Sequence, residues 1–145
     1  MKFKVLAILI LGSLVLNAGD YVIKSSKNSV DQTIEKISKI VKLKGMNVFG
    51  VIDHKANAKK VGYDMLEAKV IIFGNPKLGT RIMLRDIKAA IDLPIKILVY
   101  KDYSDHVKIE YLKPKVLAKR FDLQGCAVLP EMAKALDKIT TKAAN

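Results

Sequence analysis

Tryptophan is absent from the chain, cysteine occurs once, and only three of the 26 basic residues, Arg81, Arg85 and Arg120, are arginines. The single cysteine, Cys126, excludes an internal disulfide framework. In an oxidising compartment it is buried and inert, bound to something, or linked to a second chain, and its apolar setting "CAVLP" favours burial. Metal ligands are scarce as well: His54, His106 and Cys126 have no ligand-like spacing, so no metal site is expected and no cofactor is indicated. The shortage of arginine bears on the formal net charge of +12, which invites a nucleic-acid reading. Bidentate contacts to phosphate and guanine are arginine chemistry, and the lysines are scattered rather than clustered, so nucleic acid is not the expected partner. A soluble basic surface with weak attraction to anionic membranes fits better.

Long apolar runs are also lacking. The one candidate, Val5 to Leu16, is broken by Gly12 and Ser13 and follows Lys2 and Lys4. It falls short of the roughly 20 residues a stable membrane span needs, and the layout is that of a secretory signal peptide over residues 1–18, cleaved after Ala18. An uncleaved N-terminal anchor is the alternative. No cysteine directly follows the run, which argues against a lipoprotein. The expected location is the periplasm or the exterior. Residues 19–145 then form a single domain, able to bury about two-thirds of its unfolded surface; losing Lys2 and Lys4 leaves its formal charge at +10.

Within that domain, "YVIKSS" reads as a first strand. Ser29 is the expected N-cap of a helix, Gln32 stands at the capping-box position, and Val30, Ile34, Ile37 and Val41 recur at helical spacing up to Gly45. "NVFGVID", Asn47 to Asp53, is a second strand whose Gly50 invites a bulge. "HKANAKKVG" is a short helix or loop. Leu66 to Phe73 is a third strand, its unbroken "VIIF" suggesting burial on both faces. "GNPKLG" reads as a loop, and "TRIMLRDIKAAI" as a helix capped by Thr80 with Met83, Ile87 and Ala90 on one face. "LPIKILVYKD" and "HVKIEYL" form a hairpin, "PKVLAKRF" a short helix, and a last amphipathic helix starts at Pro130 with Met132, Leu136 and Ile139 inward. This order predicts an α+β two-layer sandwich, a small, mostly antiparallel sheet with helices on one face.

The segment "GNPKLGTR" has the glycine spacing of a phosphate-binding loop, Gly74 to Gly79. Thr80 nevertheless stands where the lysine belongs and Arg81 where the hydroxyl belongs, and Pro76 removes an N–H, so nucleotide hydrolysis is excluded. A weaker anion site survives: N–H groups at Gly79 and Thr80, at an expected helix start, with Lys77 nearby. A plain turn needing glycine at both ends competes with it.

The pieces "VFGVIDHKANAKKVG", "VIIFGNPKLGTRIM" and "AAIDLPIKILVYKD", with the later "V.I.Y" strand and "P..LAKR", resemble the prokaryotic family known as domain of unknown function 302, from about Val22 to Leu136. The resemblance implies an α+β sandwich able to pair into homodimers, with no assigned activity. It also implies that the Asp53–His54 pair belongs to the family pattern. Arg81 departs from that pattern, which has proline after "GT", and "YDMLEAK" lacks its prolines.

Three functions compete. The leading one is a non-enzymatic periplasmic binding or interaction module, with a shallow site for a small anionic ligand or a protein partner at Asp53, His54, Asn75, Lys77 and Thr80. A small-molecule enzyme using His54 as acid or base is the second. The third is a basic protein held at a membrane surface by its lysines. Tyr63, Tyr100, Tyr103 and Tyr111 are expected near the sheet face.

Overall fold

The first strand, β1 (Tyr21–Ser26), turns through Asn28 and Ser29 into α1 (Val30–Leu43). The turn is closed from both sides: Ser29 Oγ accepts the Gln32 N–H at 3.1 Å, and the Gln32 side chain accepts the Ser29 N–H at 3.1 Å. Gly45 ends the helix with a φ of 71°, a left-handed conformation that costs glycine little. The computed structural model describes residues 19–145, so the segment read as a signal peptide lies outside the described residues.

The chain continues through β2 (Asn47–Asp53), α2 (His54–Lys60), β3 (Ala68–Gly74) and α3 (Pro76–Met83). A 3₁₀ turn (Ile87–Ile91), the hairpin β4 (Ile95–Lys101) and β5 (Val107–Leu112), α4 (Lys115–Arg120) and α5 (Val128–Ala144) complete it. The five strands form one open sheet in the order β1-β5-β4-β3-β2, with every neighbouring pair antiparallel. The fold is therefore the expected α+β sandwich. The expected bulge is present: Val48 pairs with Phe73 and Gly50 with Ile72, leaving Phe49 without a partner.

Register decides what the helices cover. Ile71 pairs with Ile97 and Ile97 with Tyr111, while Val99 pairs with Ile109, so these side chains share one face, and all are buried. On that face lie α1, whose Ile37 and Val41 are buried, and α5, whose Leu136 and Ile139 are buried. The other face carries Val70, Ile72, Leu98 and Leu112, only half buried. The expectation that "VIIF" would be buried on both sides is corrected accordingly: Ile71 and Phe73 enter the core, while Val70 and Ile72 sit on the face without α1 and α5. The tyrosines do not gather either, since Tyr111 is buried, Tyr100 is half-buried on the opposite face, and Tyr63 and Tyr103 are exposed.

Among the described residues two polar side chains are fully buried, Thr33 and Thr140, and each hydroxyl donates to a carbonyl one helical turn earlier, Ser29 and Leu136, at 2.8 Å. Cys126 is free and buried.

Because Ile37 is buried at the centre of the α1–sheet contact, Ile37→Ala is expected to cost about 2–5 kcal/mol in urea unfolding. Leu43→Ala, at a residue 78% exposed on the same helix, should change stability by no more than about 0.5 kcal/mol. Equal losses from the two would contradict this assignment of the core face.

Candidate functional site

Asn75 and Pro76 turn the segment "GNPKLG", expected to be a loop, into a helix start. Proline at the first helical position has its φ preset and its missing N–H costs nothing there, and asparagine is a strong N-cap. Asn75 Oδ1 accepts the N–H groups of Lys77 at 3.0 Å and Leu78 at 3.4 Å, so α3 begins at Pro76. The expectation that Thr80 caps this helix is thereby corrected, since Thr80 lies inside it. Gly79 donates its N–H to the Asn75 carbonyl at 2.9 Å and has none to offer an anion. The inward residues shift by one position from the expected face: Ile82 and Ala89 are buried, while Ile87 is exposed. Helix α3 also stops at Met83, and the following 3₁₀ turn is separately capped by Asp86.

The five residues expected to form one site are divided between two ends of the sheet. Asp53 pairs with Lys69 at one end of the β2–β3 ladder, and Asn47 with Gly74 at the other. Six residue steps at the strand rise separate them by about 20 Å. At the first end, both Asp53 oxygens are engaged: Oδ1 accepts the Ala56 N–H at 2.8 Å, capping α2, and Oδ2 lies 2.9 Å from Lys69 Nζ. The same ammonium lies 2.6 Å from Asp31 in the first turn of α1. His54 follows as the first residue of α2 and is exposed.

At the second end, Asn75 and Thr80 border an apolar groove of about 890 Å³ between α3, α5 and the sheet margin. Phe49, Leu78, Met83, Pro94 and Ile139 line it, and Glu131 is its one charged residue. Lys77 is exposed on α3 and does not line it. Pro94 and Phe49 flank Gly74 at ordinary contact distance, 3.4 Å and 3.7 Å from where a Cβ would stand. Nothing in the strand and helix periods marked this groove. Its one sequence signal was the Asn75-Pro76 helix start, which turns α3 into a wall. Among the described residues no three His, Cys, Asp or Glu side chains converge as metal ligands would. Chemically, the groove can exclude water and hold carbon surface, but it offers no acid–base pair.

A helix cap and an ion pair beside the sheet set the titration of Asp53. The Ala56 N–H, then Lys69, hold the Asp53 carboxyl below its ordinary value, while Asp31 and Asp53 raise Lys69. The depressed Asp53 contributes stability above the unfolded carboxylate value of about 3.9, and the contribution disappears as pH falls through the lower folded value. Asp53→Asn keeps a capping oxygen and loses the charge. Its Tm is expected to lie below that of the parent at neutral pH and to converge with it in strong acid; a gap that persists there would contradict this origin.

Residues 21–139 match the family described as Domain of unknown function DUF302. A 98-residue stretch, 68% of this chain, is 41% identical to the fluoride-specific ion channel FluC 1 of Brucella suis biovar 1 and to that of Brucella abortus biovar 1. The stretch makes up 39% and 36% of those proteins, so the chain spans well under half the length of these relatives. Among solved structures, an uncharacterised conserved DUF302 protein from Bacillus stearothermophilus superposes with a TM-score of 0.76 at 19% identity, over 87% of this chain and 99% of that one. That likeness extends to the fold, and with the match across most of the sequence it leaves one assignment: the chain belongs to the DUF302 family.

Proposed function

We propose that the chain is an exported, non-enzymatic binding module of the periplasm whose ligand is an elongated apolar small molecule held between α3 and α5. One observation carries this reading, the groove of about 890 Å³ lined almost wholly by carbon. Its size falls in the range of about 300–1,000 Å³ typical of small-molecule sites. Burial of ligand carbon supplies the driving force, at about 25 cal/mol per Å². The side-chain amide of Asn75 and the hydroxyl of Thr80 at the rim give a polar end of the ligand a fixed direction. A small anion is the weaker candidate, because the Asn75 cap already takes the first N–H groups of α3. Acid or base catalysis by His54 has little support from the geometry, since this side chain is outside the groove lining and at the far end of the β2–β3 ladder. Export rests on the charged and apolar layout of residues 1–18.

The channel relatives favour a second reading, in which the module works beside a membrane channel. Fluoride is small and strongly hydrated, and stripping its water requires several donors or a cation. The groove offers one charged residue, the acid Glu131, so an association with a channel would act by docking rather than by holding the ion.

A fluorescent fatty acid is expected to bind the 19–145 chain and to be displaced by unlabelled apolar ligands. Phe49→Glu, at a groove residue 58% exposed and therefore tolerant of substitution, should weaken that binding at least roughly tenfold, because the new carboxylate must be desolvated under the ligand. Failure of the parent to bind, or equal binding by the variant, would overturn the reading. Sodium fluoride added to the protein should leave the fluorine NMR linewidth unbroadened; clear broadening would overturn the docking version of the channel reading.

A further inference from the structure

The segment after α3 carries a surface feature that the groove does not use. Leu84, Ile87 and Ile91 are 81%, 72% and 80% exposed. A 3₁₀ helix has three residues per turn, so Ile87 and Ala90 form one row, Lys88 and Ile91 a second, and the buried Ala89 belongs to the third, against the protein. Both solvent-facing rows therefore present an isoleucine, and Leu84 stands one turn before them. Three large aliphatic side chains exposed within eight residues form a patch of the kind that marks an interaction surface.

The charge around the patch selects its partner. Lys77, Arg81, Arg85 and Lys88 are all exposed, and two of them are among the three arginines of the chain. The two acids of the segment are turned to structural duties. Asp86 accepts the Lys88 N–H at 3.0 Å through Oδ1 and the Asp122 N–H at 3.1 Å through Oδ2, and Asp92 accepts a hydrogen bond from Arg120 at 3.0 Å. Asp92 is offset by Arg120, so the segment from Lys77 to Asp92 presents four cations against the single carboxylate of Asp86 around a projecting aliphatic tip. Aliphatic side chains rimmed by cations match the boundary of an anionic bilayer, where the apolar groups enter between the headgroups and the guanidinium groups meet phosphodiester oxygens. We infer that Leu84, Ile87 and Ile91, with Lys77, Arg81, Arg85 and Lys88, form a membrane-docking edge that seats the domain on anionic phospholipid. The edge differs from a general lysine attraction in needing insertion of the isoleucines, and it stands independently of the apolar ligand proposed for the groove.

The 19–145 chain is a fair probe, because the Bacillus stearothermophilus structure matches 87% of this chain with 99% of its own and so forms the fold without an extension of this kind. Sedimentation with vesicles of phosphatidylcholine alone and of phosphatidylcholine mixed with phosphatidylglycerol tests the edge. Binding is expected to the mixed vesicles only. Arg81→Gln with Arg85→Gln should lower partitioning by roughly fivefold per charge removed. Ile87→Ser with Ile91→Ser keeps every charge and, at such exposed positions, should leave Tm unchanged, yet it should abolish the fraction bound at high salt. Phe49→Glu should bind vesicles as the parent does, separating this edge from the groove. Absence of vesicle binding by the parent would overturn the proposal in favour of a protein partner, and undiminished high-salt binding by the isoleucine double variant would overturn it in favour of dispersed lysine attraction.

Discussion

The molecule depends on one apolar layer, the contact of Ile71, Phe73, Ile97, Val99 and Ile109 with the inner stripes of α1 and α5. The lone cysteine forms no internal disulfide, and among the described residues the buried apolar side chains form one cluster around this layer, which offsets the conformational entropy of folding. The layer is one side chain deep on the sheet, and register alone keeps it apolar. A slip of one residue in β4 would replace Ile97 and Val99 by Lys96 and Leu98 and drive an ammonium into the core. The polar groups at its margin are arranged to make that slip costly. Lys24, Ile109, Val99 and Lys69 stand in one cross-strand row, and each terminal lysine is held by a carboxylate, Asp137 of α5 at 2.7 Å and Asp31 of α1 at 2.6 Å. Their aliphatic stems extend the apolar surface while the ammonium groups reach the helices, so the same two residues pin both helices to the sheet.

Where the row of lysines closes one end of the layer, nothing equivalent closes the other. Beyond Phe73 and Ile95 the strands end at Gly74 and Pro94, and residues of α3 and α5 line the space there. The groove is therefore the unfilled end of the core, lined by the same kind of side chains as the core itself. This origin explains why it has no acid–base machinery: its walls were specified by the requirement for a hydrophobic layer, and only the rim, at Asn75, Thr80 and Glu131, carries polar groups.

The elements with strong local signals were legible in the sequence. The Ser29–Gln32 box, the repeat of Val30, Ile34, Ile37 and Val41, and the bounds of β1 and β2 followed from propensity and period because helix caps and cross-strand alternation are local chemistry. The Gly74–Gly79 segment carries two competing local signals, glycines that favour a turn and Asn75-Pro76, which favours a helix start. In the structure the cap wins, since Oδ1 of Asn75 satisfies two N–H groups at once, and Gly79 is tolerated at a modest propensity cost. The site was not legible for a different reason. Asp53 and His54 seemed to belong with Asn75 because both pairs fall at strand ends, but antiparallel pairing sends consecutive strand ends to opposite margins of the sheet. A list of strand-end residues holds no information about which margin each one occupies until the pairing is known.

Helix α3 lies between the groove and the exposed aliphatic edge. It is eight residues long, too short to be stable on its own, so its order comes from the Asn75 cap and from tertiary packing through Ile82. Its inner side supplies Leu78, Gly79 and Met83 to the groove, while the chain leaving its C-terminus carries the exposed aliphatic edge. The other walls of the groove come from the sheet margin and from α5. The groove and the exposed edge therefore border the same short element because of its place at the open end of the layer.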